Sequence, residues 1–146
     1  EFWLDIGVHC IASIKHHASC EPMEDFVPVV KELSLKYEIW TVTARQKSSH
    51  EVVRYLKEKY IPNIITGVHH VWEELPDKTF KSIFKKDFID SFQGEKVAFI
   101  DDSPTEIRAL QETLPSFLFD PLHVHTDKKD IKIRVHSWKE IGDRLL

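Results

Sequence analysis

The chain has 146 residues, 42% of them apolar, with seven Pro and four Gly, which suits one folded domain and excludes a disordered or low-complexity chain. Lys and Arg number 20 against 24 Asp and Glu, a net charge of −4, so no broad electrostatic attraction to a nucleic-acid backbone is expected. No run approaches the ~18 consecutive apolar residues that a membrane-spanning helix needs.

In chain order, Phe2-Trp3-Leu4 reads as a short buried strand that stops at Asp5, with Gly7 marking a turn. The opening residues have neither the basic start nor the apolar run of a secretory leader, so a cytoplasmic location is expected, with Cys10 and Cys20 as thiols. Residues 8–21 show no period and read as a loop or small insertion. Phe26, Val29, Val30 and Leu33 recur at helical spacing, with Pro28 in the first turn. Glu38 to Thr43 is β-rich, and Ser48 with Glu51 forms a capping box for a helix bearing Val52, Val53, Leu56 and Tyr60. Ile64-Ile65-Thr66 reads as a strand ending before Gly67, and residues 69–77 as irregular.

A helix is predicted from Asp77-Lys78, burying Phe80, Ile83, Phe84 and Phe88, with Lys81, Lys85 and Lys86 as its solvated face. Val97 to Ile100 is the strongest strand signal, stopped by Asp101-Asp102. Ser103-Pro104-Thr105-Glu106 is a second capping box, with Pro at the first helical position. Phe117-Leu118-Phe119 is a further strand. Ile131, Ile133 and Val135 alternate with Lys132 and Arg134 as an edge strand, and Ser137 with Glu140 caps a closing helix. Apolar strands alternating with amphipathic helices predict an α/β fold, a Rossmann-like three-layer sandwich with a mainly parallel sheet and a single domain over 1–146.

In such sheets ligands bind beyond the carboxyl ends of the strands. The residues placed there are Asp5, Thr43 with Arg45, Thr66, and Asp101 with Asp102. Carboxylates brought together at strand ends repel one another, and a hard oxygen-seeking cation such as Mg²⁺ relieves that repulsion. One carboxylate at a strand end is ordinarily a turn or cap residue, so the signal lies in their joint placement. His69-His70 and His123-x-His125 raise zinc, but spacing supplies no third or fourth ligand.

Four motifs resemble the haloacid dehalogenase-like (HAD) superfamily: Phe2-Trp3-Leu4-Asp5-Ile6-Gly7-Val8, Thr41-Val42-Thr43-Ala44-Arg45, a lysine within Asp77-Lys78-Thr79-Phe80-Lys81, and Val97-Ala98-Phe99-Ile100-Asp101-Asp102-Ser103-Pro104. The resemblance implies a Mg²⁺-dependent phosphohydrolase acting through an aspartyl-phosphate. Asp5 would be the nucleophile and Thr43 a hydroxyl donor to the phosphoryl group, with Lys78 or Lys81 steadying both. Asp5, the Gly7 carbonyl, Asp101 and Asp102 would hold the metal. One departure is plain: where the family's phosphatases carry a second Asp for proton transfer, this chain has Gly7. Loss of a general acid/base costs ~10²–10⁴ in rate.

Only 37 residues lie between Asp5 and Thr43, too few for a large cap. The resemblance therefore implies an open site for a large phosphorylated substrate, such as a nucleic-acid end or a protein, and no membrane partner. The alternative is a catalytically impaired HAD-like binding or scaffolding protein.

Overall fold

A computed structural model describes residues 20–43, 50–77, 80–82 and 84–146. By packing, the chain divides into two units, Glu1–Ile83 and Phe84–Leu146. The architecture is α/β and matches the Rossmann-like three-layer sandwich read from the sequence, with parallel strands alternating with helices. No helix among the described residues is long and apolar enough to cross a membrane.

In the first unit, helix α1 (Phe26–Ser34) buries Val30 and Leu33, three residues apart on one face, and carries Pro28 in its first turn. Strand β1 (Ile39–Thr43) runs parallel to β2 (Ile65–His70). Between them in sequence lies helix α2 (His50–Tyr60), which buries Val52 and places Glu51 in its first turn and Lys57 and Lys59 in its last, the order the helix dipole favours. The register slips by one between Ile39 and Trp40, so that Trp40 pairs with Gly67. A Cβ on Gly67 would lie 2.4 Å from the Trp40 ring, which explains glycine inside a strand: the indole lies flat where a side chain would stand. Gly67 therefore does not end the strand, and the carboxyl end of β2 is His70 rather than Thr66.

The segment after β2 departs from the predicted helix. Strands β3 (Trp72–Glu74) and β4 (Phe80–Ser82) form an antiparallel pair around a turn at Pro76-Asp77. The i, i+4 spacing of Phe80, Phe84 and Phe88 imitates a helical face, but Pro76-Asp77 is a turn signal, and the helix begins only at Lys85. Phe84 is accordingly 56% exposed.

In the second unit, α3 (Lys85–Ser91), β5 (Phe99–Asp101), α4 (Pro104–Leu110), β6 (Ser116–Phe119), β7 (Ile133–Val135) and α5 (Trp138–Leu145) follow in order. The three strands make a parallel sheet in the order β5-β6-β7. Central β6 is buried along Ser116, Phe117 and Leu118, as a strand covered on both faces must be, whereas β7 is an edge strand as its alternation predicts. Ile89, Phe99, Ile107, Leu110, Leu114 and Leu118 form the core, with Phe88 and Ile131 packed against it. Each of these side chains contributes ~1.5–3 kcal/mol by leaving water.

Two of the three predicted caps are present, and Ser48 of the third lies outside the described residues. Ser103 Oγ accepts from the Glu106 amide at 3.5 Å, and Ser137 Oγ from the Glu140 amide at 3.2 Å. The caps start α4 and α5 immediately after β5 and β7, which fixes what stands at the carboxyl edge of this sheet: Asp101 on β5, Asp120 after β6 and His136 after β7.

Candidate functional site

At the end of β5, Asp101 is buried and Asp102 exposed, because successive residues of a strand point to opposite sides. Asp101 Oδ1 accepts the Ser103 amide at 2.8 Å, and Oδ2 is ion-paired with Lys85 Nζ. The two side chains are 6% and 13% exposed. Lys85 opens α3, and α3 packs on α4, which brings the ammonium to the strand end. Glu106, in the first turn of α4, stands beside the pair with its buried Oε2 lacking a hydrogen-bond partner among the described residues. Burial raises the Glu106 carboxyl above its ordinary range, Lys85 opposes that shift, and Asp101 adds to it.

Lys85 was the lysine missed in the sequence. The periodicity places it on a solvated helical face with Lys81 and Lys86, but Lys81 belongs to strand β4 and only Lys85 and Lys86 share a helix. The usable signal was its position: a lysine at the start of the helix that precedes the Asp101 strand.

Asp120 was the second omission. It closes the apolar run Phe117-Leu118-Phe119 as Asp101 closes Phe99-Ile100, and it is buried. Its carboxylate accepts the Val124 amide at 2.8 Å and the His125 amide at 3.1 Å, with Arg134 Nε 3.8 Å away. Burial pushes this carboxyl up, but the His125 and Val124 amides and the His125 and Arg134 charges outweigh it and hold it below the ordinary carboxylate range. The Asp120 carbonyl receives His136 Nδ1 at 2.7 Å, and the His136 and His123 rings stack at 4.0 Å. Asp120 thus folds the loop that carries His123 and His125.

Of the remaining predicted residues, Thr43 ends β1 opposite His70, and its carbonyl accepts the Val71 amide at 3.0 Å. Lys81 pairs with Glu73 in the β3–β4 register. Asp5, Gly7, Arg45 and Lys78 lie outside the described residues.

The expected Mg²⁺ is corrected by this geometry. Among the described residues, no three His, Cys, Asp or Glu side chains stand together in a way that could hold a metal ion. The physical reason is at Asp101: Lys85 already neutralises one carboxylate oxygen and a backbone amide occupies the other, while Asp102 turns to solvent. His69-His70 and His123-x-His125 likewise belong to no such group among the described residues.

Comparison with protein-family models, with curated proteins and with solved structures finds no match to this chain.

Proposed function

We propose that the chain is a catalytically impaired HAD-like protein that works as a binding or scaffolding module. The motifs around Asp5, Thr43 and Asp101 supply the likeness, and Gly7 removes the proton-transfer carboxylate that turnover would need. The observation that carries the reading is the Lys85–Asp101 ion pair, which neutralises within the protein the carboxylate that a phosphatase would offer to a cation. A metal ion arriving there would have to displace Lys85 and leave an ammonium buried without its partner, which is strongly unfavourable.

The test is release of phosphate from an aryl phosphate, with and without Mg²⁺, by the chain and by Asp5→Asn. The expected result is no release above the protein-free blank in any arm. Metal-dependent release that Asp5→Asn abolishes would overturn the proposal in favour of a phosphohydrolase.

A further inference from the structure

The first unit contains a cavity of about 260 Å³ beside α2 and β2. His50, Arg54 and Lys57 line it from α2, at spacings of four and three residues that place them on one helical face. His70 lines it from β2, and its ring lies 3.3 Å from the His50 ring at an interplanar angle of 30°. His70 Nδ1 is buried and has no hydrogen-bond partner among the described residues. Val53 and Val68 supply the apolar part of the wall. The lining carboxylate, Glu51, is ion-paired with Arg54.

We propose that this cavity binds a compact oxyanion, phosphate or a phosphomonoester, on Arg54, Lys57 and the His50–His70 pair. The inference uses the first unit alone and does not rest on the HAD-like reading. The size is below the ~300–1,000 Å³ of sites for drug-sized ligands, which suits a small anion. With Arg54 and Lys57 against Glu51, the lining has an excess of one positive charge before either imidazole is protonated. A guanidinium offers paired N–H donors to a tetrahedral oxyanion, and an ammonium adds a point charge.

The imidazoles extend this. Rings this close repel one another if both carry a proton, unless a counter-charge lies beside them. Burial, then the neighbouring charges of His50 and His69, hold His70 below the ordinary histidine value, and burial does the same to His69. The titratable groups facing His70 are therefore His50, Glu51, Arg54 and Lys57 from α2 and His69 from its own strand. An oxyanion brings negative charge beside the pair, so binding favours its protonated form and tightens as pH falls through the histidine range.

The experiment follows the histidine ring resonances of the full chain by NMR during titration with inorganic phosphate and, separately, with glycerol 2-phosphate, against chloride at equal ionic strength. Saturable shifts of His50 and His70 are expected with one or both phosphates and not with chloride. Tighter binding of the monoester assigns the cavity to a phosphorylated ligand, and equal or tighter binding of inorganic phosphate assigns it to the free ion. Arg54→Gln and Lys57→Gln, both on the α2 surface, should each weaken binding about tenfold or more, since each removes a charge-assisted hydrogen bond. Glu51→Gln should tighten it. Sulfate, which does not titrate between pH 5.5 and 7.5, should bind more tightly at the lower pH. The proposal is overturned if phosphate gives no saturable shift, or if the Arg54→Gln/Lys57→Gln double variant binds as the wild type does. A pH-independent sulfate affinity would overturn the role given to the imidazoles.

Discussion

Replacing Lys85 with Met keeps the length and apolar stem of the side chain and removes the ammonium. Asp101 would keep the Ser103 amide at 2.8 Å but lose its counter-charge, with Glu106 beside it adding repulsion. Breaking a buried pair from one side costs about 3–5 kcal/mol. The lower end applies here, because one hydrogen bond to the carboxylate survives and the 13% exposure of Lys85 admits some solvent. The expected loss of about 3 kcal/mol corresponds to a fall in Tm of roughly 6–12 °C for a chain of this size. Urea unfolding followed by circular dichroism measures it, and a double-mutant cycle with Asp101→Asn isolates the pair from the packing of the stem. A loss under about 1 kcal/mol, the value of a solvated surface pair, would refute the argument that Asp101 is neutralised from within.

Two further changes test the same edge of the sheet. Glu106→Gln should stabilise the protein at neutral pH. The folded-state carboxyl is raised above its unfolded value, so the native state loses stability as pH rises from the unfolded value near ~4.3 through the higher folded one, and the advantage of Gln should vanish below about pH 4. Urea midpoints at a series of pH values measure the difference. Asp120→Ala removes the acceptor for two loop amides and the partner of Arg134, a cost of about 2–4 kcal/mol, and the Val124 and His125 amides should then exchange with solvent much faster. Because the Asp120 carboxyl is held low, its contribution is present above the unfolded value near ~3.9 and is lost as pH falls through the folded one. The variant should therefore lack that part of the acid destabilisation.

What the sequence made legible was local. Ser103-Pro104-Thr105-Glu106 and Ser137-x-x-Glu140 announce helix starts through bonds made within four residues, and both helices begin where those signals place them. Val97 to Ile100 and Phe117 to Phe119 read as strands because continuous apolar runs have few other uses in a parallel sheet, although β5 begins only at Phe99 and includes Asp101. The failures came where one period served two structures. The fourfold spacing of Phe80, Phe84 and Phe88 extended a helix over what is a turn and a strand, and that error in turn placed Lys81 and Lys85 on a common face. Trp40, within the β-rich run, is 40% exposed and lies over Gly67, where the β1–β2 register slips by one residue.

The candidate site was half legible for the same reason. A carboxylate that ends an apolar run is visible in sequence, so Asp101 could be found. Whether it is free to bind a cation depends on which base reaches it, and Lys85 reaches it from a helix 16 residues earlier, through the packing of α3 on α4. Asp120 carries the same lesson with a different partner: a second strand-end carboxylate, satisfied by two amides and an arginine. Asp101 and Asp120, the two most buried acids of this edge, are each compensated by the protein, as burial of charge demands. In the first unit, by contrast, the described residues that line the cavity are Arg54, Lys57 and two imidazoles with one carboxylate, Glu51, an excess of one positive charge. An anion arriving there competes with the exposed Glu51–Arg54 pair, whereas a cation approaching Asp101 must undo a buried one. That difference in electrostatic cost supports the proposal of an anion-binding module over that of a metal-dependent enzyme.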